Sequence, residues 1–403
     1  MQTPKNAINW ARRIKKRVGN LSSSEYCSAE GQAMAATVDE VARKRFEWLV
    51  DFFEKSIWVI NCGYRGKTIR AHNYIFPIIF FISTCFNLDY VRLTYNSTNR
   101  VQAIYTIIFI AVHMQSLGKG LMLVINYHDF KNLFSELRKF YTEGENGLVK
   151  EIRMRNNAAH IPGITIGVFV YCSMLWGAEI FLQFFIRRMG GVVFPMQYHI
   201  PFISETNPWF NIINYTVQDF IFIVTFIAIS VSDGLIIMIA FHFRSELISV
   251  AELISILDDV EQYKKYKDIL LTIHRMHWNL VHLFNFLSDV YFYMSFAQVT
   301  STFVGATFLL YAVMDNGLDV ANGVVIAVVA LQILILCLFG EIIFVRTEAL
   351  SNLLYQTKWY EFTPRDKLYF LFILQNIQKP WGLKAVGVID VSLYTFIEVS
   401  DIS

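Results

Sequence analysis

Charge is scarce in this chain. Asp, Glu, Lys and Arg make up 17% of its 403 residues, where a soluble domain carries about 25%. The 35 basic and 33 acidic residues almost cancel, leaving a formal charge of +2. Length alone would suggest two or three soluble domains, but too few charges remain to coat them. Strong single-sign charge is lacking too, which argues against a nucleic-acid binder and a disordered chain. Cysteine is sparse: Cys27, Cys62, Cys85, Cys172 and Cys337 form no CxxC pair and no metal spacing, so they read as scattered thiols. The first 70 residues have no apolar h-region of a signal peptide. They carry instead a basic run, Arg12-Arg13-Ile14-Lys15-Lys16-Arg17, which reads as a cytoplasmic segment near anionic lipid. No Ser-His-Asp ordering, GxSxG elbow or phosphate loop is visible, so no catalytic residue, metal or cofactor is expected.

What the chain does have is apolar length. Hydrophobic residues make up 55%, Phe alone occurs 35 times, and mean hydropathy is +0.40. Six windows satisfy the ~20-residue requirement for crossing a bilayer: 73–91, 101–125, 162–186, 217–241, 292–314 and 320–345. Two shorter apolar stretches, 368–378 and 385–399, flank Pro380 and Gly382, which should break a continuous helix. The reading is an all-α membrane protein with seven transmembrane helices, the last broken into cytoplasmic and membrane parts.

Lys and Arg fall very unevenly between the connections. Residues 1–72 hold 13, segment 126–161 six, 242–291 five and 346–368 four; the opposite side holds only Arg92, Arg100, Arg187 and Arg188. This 28-to-4 asymmetry predicts a cytoplasmic N-terminus. The organisation that follows is a cytoplasmic segment at 1–72 and six spans over 73–345 with helical cytoplasmic extensions at 127–160 and 244–291. Anchor helices occupy 346–380, and a last membrane helix 381–403. G-protein-coupled receptors, with an external N-terminus, are excluded. Segment 187–216 also lacks their loop cysteine, and neither Asp/Glu-Arg-Tyr nor Asn-Pro-x-x-Tyr occurs where they require it. Asn96 and Asn214 head sequons on the external side and are candidate glycosylation sites close to span ends.

The cytoplasmic connections are patterned rather than loop-like. Phe130, Leu133, Phe134, Leu137 and Phe140 recur at helical spacing, as do Leu247, Val250, Leu253, Leu257, Leu270, Ile273, Met276 and Leu280. Such stripes must be buried, either on the same chain or on a neighbouring subunit. His274 and His277, with His282 further on, lack the ligands that would complete a zinc site and read as a solvated helix face. Within span two, Lys119 should snorkel to the inner interface. His113 reads as a hydrogen-bonded packing residue or, less simply, a proton relay.

Two constellations suggest function. Asp390, Tyr394 and Glu398 lie at i, i+4 and i+8, one stripe of the last helix. A stripe of carboxylates and a phenol suits a cation pathway. The competing reading is an ion pair, for instance Asp390 with Lys384. Aromatic and hydroxyl side chains crowd the outer halves of spans two to five: Tyr105, Phe109, Tyr171, Met174, Trp176, Phe220, Val224, Phe303 and Thr307. They fit an apolar cavity for a small volatile hydrophobic ligand, or ordinary packing.

At Tyr355, Trp359-Tyr360, Gln378-Lys379-Pro380 and Val391-Ser392-Leu393-Tyr394-Thr395-Phe396, and again at Tyr215, Gln218 and Ser232-Asp233-Gly234-Leu235, the chain resembles the insect odorant receptors. The resemblance implies a plasma-membrane subunit of a ligand-gated, non-selective cation channel in sensory neurons. It further implies four subunits around one pore, joined by their cytoplasmic helices, with the last helix lining the pore. The modest length of 244–291 resembles a tuning subunit that pairs with a common odorant co-receptor. Asn376 departs from the basic residue common before Ile377. Family members usually continue for about a dozen residues beyond the equivalent of Ser403, so the pore end is expected to be incomplete here. A gustatory receptor is the rival within the superfamily, but Leu393–Val399 does not match its Thr-Tyr to Gln-Phe signature. A transporter or hydrolase with an internal N-terminus is the rival outside it. No inverted repeat supports the former.

Overall fold

The computed structural model describes residues 29–60, 74–95, 100–142, 147–181, 200, 203–204, 206–259, 261, 263, 268–317, 320–382, 384–385 and 389–390. These form α1 (Ala29–Ile60), α2 (Ile75–Tyr95), α3 (Arg100–Ile125), α4 (Tyr127–Thr142), α5 (Gly147–Ile180), α6 (Phe210–Ile256), α7 (Ile269–Asn316), α8 (Val320–Tyr355) and α9 (Pro364–Ile377). A short antiparallel pair, β1 (Lys384–Ala385) and β2 (Ile389–Asp390), follows. Among the described residues six helices, α2, α3 and α5 to α8, are long and apolar enough to span a membrane. They coincide with the six windows read from the sequence.

α6 is the axis of the molecule. A helix apolar all round must be enclosed, and almost every residue from Thr225 to Ile256 is buried. It packs against α5, α8, α3 and α7, while α3 packs mainly on α7 and α2. Three serines of this apolar helix bond back to its own carbonyls, Ser232 Oγ to Ala228 O at 2.8 Å, Ser249 Oγ to Ser245 O at 3.1 Å and Ser255 Oγ to Ala251 O at 3.0 Å. With 47 and 48 residues, α6 and α7 each run about 70 Å at 1.5 Å per residue. The hydrocarbon core is ~30 Å thick. Half of each helix therefore extends beyond it, as the patterning of 244–291 suggested.

The amphipathic α4 finds its partner on the same chain. Phe130, Leu133, Phe134 and Leu137 are buried, as are Phe46, Leu49, Phe53 and Ile57 of α1. α1 and α4 pack together, and Arg138 ties them by donating to Asp51 Oδ1 at 2.7 Å and Glu54 Oε2 at 2.8 Å. His274 and His277 are not a solvated face. His277 is buried, and the His274 ring sits 5.4 Å from Phe372 of α9, because α9 folds back against α7.

α9 opens with Pro364, whose missing N–H costs nothing at a first helical position. Thr363 caps it, accepting from Asp366 N at 3.3 Å while donating to Asp366 Oδ2 at 2.7 Å. The Tyr263 hydroxyl also donates to Asp366. Burial, then this carboxylate, raise the Tyr263 phenol well above its ordinary range. The helix stops before Pro380, as expected. Trp381 then wedges against Phe284 at 4.5 Å, and its carbonyl accepts from Thr347 Oγ1 at 2.9 Å. One expectation needs correcting. The last helix was to begin at 381, but Lys384–Ala385 and Ile389–Asp390 are extended and pair with Lys384 opposite Asp390. Ile389 is β-branched and suits the extended form. Residues 391–403 lie outside the described residues.

Candidate functional site

An apolar cavity of about 80 Å³ lies between α3, α6, α7 and α8. One water-sized probe needs ~10–15 Å³. Its walls come from the faces these four helices turn to one another: Phe109 and Val112 of α3, Phe222 and Phe226 of α6, Gly305 of α7 and Val328 of α8 among them. Phe109 and Phe222 meet edge to face at 4.9 Å. At one end a small cluster of Ile104, Ile108, Leu309 and Ala312 closes the space. There the Tyr105 hydroxyl donates to Asn322 Oδ1 at 2.9 Å, tying α3 to α8.

The other end is polar. Gln115 Nε2 donates to Gln332 Oε1 at 3.0 Å, and Ser301 Oγ donates to Gln115 Oε1 at 3.2 Å. Gln298 Nε2 donates to the Gln332 carbonyl at 3.0 Å. Three helices are thus joined by amides in an apolar surrounding, where an unmet polar group is costly. One turn further along α3, Lys119 Nζ meets Asp233 Oδ1 of α6 at 2.5 Å, with both side chains buried. Tyr171 of α5 donates to Asp233 Oδ2 at 2.5 Å. Lys119 therefore does not snorkel. Its ammonium is taken up by an acidic partner inside the bundle, and a paired buried charge is preferred to a single one. His113, by contrast, is the packing residue its position suggested: Asn87 Nδ2 of α2 donates to its Nδ1 across 3.0 Å.

The nine residues proposed from sequence for the ligand are spread over several surroundings. Tyr105 and Phe109 line the cavity. Tyr171 is committed to Asp233. Trp176 and Val224 are half-buried against the main core. Met174, Phe220, Phe303 and Thr307 are exposed on the outer surfaces of their helices, Phe303 at 74%. Asn214 is fully buried; its Nδ2 donates to Phe210 O at 2.9 Å and its Oδ1 accepts from Ile200 N at 2.8 Å. A glycan there would require this buried amide to be brought to the surface. Asn96, Tyr394 and Glu398 lie outside the described residues, and Asp390 is described by its backbone alone. Sequence reading passed over Gln298, Ser301, Asn322 and Gln332. Yet Gln332 is the sole strongly hydrogen-bonding side chain between Gly323 and Leu336, and an isolated amide in such a run is itself a pointer to a buried network.

This arrangement of long, mutually buried apolar helices around a small cavity defines an all-α membrane protein of the seven-helix type. The olfactory receptor OR5 of Machilis hrabei, solved with eugenol, superposes with a TM-score of 0.72 over 89% of this chain and 96% of its own, at 14% identity. Its structure without that ligand gives 0.71 over the same shares. The profile of the 7tm odorant receptor family matches residues 98–403, and the chain belongs to that family. A Drosophila melanogaster chain assigned as odorant receptor 83c is 21% identical over 310 residues, covering 70% of this chain and 76% of that one. Odorant receptor 2a of the same organism is 34% identical over 85 residues, 21% of each chain. The protein is a receptor rather than an enzyme.

Proposed function

We propose that this chain is the tuning subunit of an odorant-gated, non-selective cation channel in the plasma membrane of a sensory neuron. It binds a small volatile hydrophobic molecule in the cavity between α3, α6, α7 and α8. The observation that carries this reading is the cavity itself: enclosed by aromatic and branched side chains, with a few polar groups gathered at one end, as small-molecule sites are. Eugenol, the ligand in the Machilis hrabei complex, is a molecule of this general kind. The partner is a common odorant co-receptor, in a hetero-oligomer of four subunits. Support comes from the cytoplasmic end, where Leu271 of α7 and Leu368, Leu371 and Phe372 of α9 line an open groove with apolar side chains exposed. An apolar surface of that kind calls for a protein neighbour. Tyr394 and Glu398 are the residues proposed to line the conduction path, with Asp390 ahead of them in β2 rather than on one helical stripe with them.

Gly305 tests the ligand site. A Cβ at this position meets only Ala111 Cβ, at 3.9 Å, so Gly305→Leu projects into open space while improving helix propensity. In cells expressing the chain with the co-receptor, odorant-evoked current should fall at least tenfold in sensitivity with surface expression retained. An unchanged dose-response curve refutes this site. For the channel, Glu398→Gln should alter reversal potential or calcium block; a shifted dose-response with unchanged permeation would remove Glu398 from the conduction path.

A further inference from the structure

Gln332 is engaged on one side only. Its Oε1 accepts from Gln115 and its backbone carbonyl accepts from Gln298. Its Nε2 donates to no partner among the described residues, although the residue is 94% buried, being 6% exposed. It lines the cavity at the end opposite Tyr105, Leu309 and Val325. Of the other polar side chains lining the cavity, Tyr105 is used by Asn322 and Ser301 by Gln115 and Gln298; Thr302 of α7 also lines it, with no hydrogen bond among the described residues. A spare amide donor inside an otherwise apolar chamber is unfavourable unless something accepts from it.

Resting on the reading of the cavity as the ligand site, we propose that Gln332 is the polar anchor of that site, and that the natural ligands are small molecules with an apolar body and one hydrogen-bond-accepting oxygen: ketones, esters, ethers or alcohols rather than pure hydrocarbons. The oxygen accepts from Gln332 Nε2, and the body packs along Phe109, Phe222, Val328 and Gly305. Gln115 acts as a positioning residue, since its bond to Oε1 holds the Gln332 amide with its NH₂ turned to the free side. Rotating both amides together keeps the chain of bonds through Ser301 closed and turns Oε1 of Gln332 to the cavity instead. An alcohol is therefore held in either arrangement, whereas a ketone requires the donor arrangement. Charged compounds are excluded, because no lining side chain carries a charge.

Three probes of one size separate these contributions: cyclohexanone, cyclohexanol and methylcyclohexane. Their binding is read from the shift in thermal unfolding of the full-length, detergent-purified protein on titration. The quantity compared is the ratio of oxygenated-probe to hydrocarbon affinity, in the wild type and in Gln332→Met. Losing one neutral hydrogen bond should lower that ratio about three- to tenfold, with methylcyclohexane affinity essentially kept. Gln332→Met leaves Gln115 Nε2 without its acceptor, so the double variant Gln115→Leu/Gln332→Met is measured beside it and should give the same lowered ratio. An unchanged ratio in both variants overturns the anchor while leaving the cavity as the site. If Gly305→Leu fails to weaken any of the three probes, or none of them binds the wild type, the cavity reading falls and the anchor with it.

Discussion

Replacing Lys119 by Met tests the charged tie between α3 and α6. The side chains of Lys119 and Asp233 are 1% and 3% exposed and lie 2.5 Å apart. Met preserves the length and apolar stem of Lys but removes the ammonium, leaving Asp233 buried with Tyr171 as its remaining donor among the described residues. Breaking one side of a buried pair costs about 3–5 kcal/mol, because the other charge stays uncompensated. At the usual unfolding entropy of ~2.1 cal/mol/K per residue, that loss lowers the midpoint of this 403-residue chain by about 4–6 °C. Adding Asp233→Leu removes the stranded charge and should recover most of the loss. It leaves the Tyr171 hydroxyl without an acceptor, at about 1–3 kcal/mol, so Lys119→Met/Asp233→Leu/Tyr171→Phe should unfold nearest to wild type. The assay is thermal unfolding of the detergent-purified variants, with surface expression as a second readout. If Lys119→Met unfolds within about 1 °C of wild type, the pair does not hold these helices together. If the double variant is no more stable than the single one, lost packing rather than stranded charge is the cause.

Other expectations follow from single contacts. A Cβ at Gly118 would lie 2.7 Å from Ala297 Cβ, so Gly118→Ala should force α3 from α7 and cost about 1–3 kcal/mol in thermal unfolding; equal stability would show that the helices separate freely. Thr363→Ala removes the cap of α9 and should cost about 1 kcal/mol, seen as faster amide exchange at its first turn, while Thr363→Ser should retain protection. The basic asymmetry predicts that an epitope inserted near Ser23 is reached by antibody only after permeabilisation; staining of intact cells would reverse the topology.

Much of the architecture was legible because it depends on composition and period alone. Any run of ~20 apolar residues is driven into the bilayer whatever it later touches, so the windows at 101–125 and 320–345 became α3 and α8. The stripe through Phe130 and Leu137 marks a helix that must bury one face. Proline at 380 ends α9 regardless of its neighbours, since the missing N–H and the ring are local facts. These properties belong to segments and survive being read one segment at a time.

What meets what was decided only in three dimensions. Lys119 and Asp233 are 114 positions apart, and Gln115 and Gln332 are 217 apart. Nothing within either helix distinguishes a lysine that snorkels from one that finds an acid across the bundle. The ligand-site proposals suffered for the same reason. In an apolar helix the residues facing lipid and those facing a cavity are chemically alike, so Phe303 and Phe109 read identically in sequence; the rotation of each helix, set by packing against its neighbours, turned one outward and the other toward Phe222. The pairing of Lys384 with Asp390 and the seat of Trp381 between Phe243 of α6 and Phe284 of α7 are likewise tertiary facts. Hydrophobic period specifies that a helix buries a face, whereas interhelical contacts alone determine which residues share it.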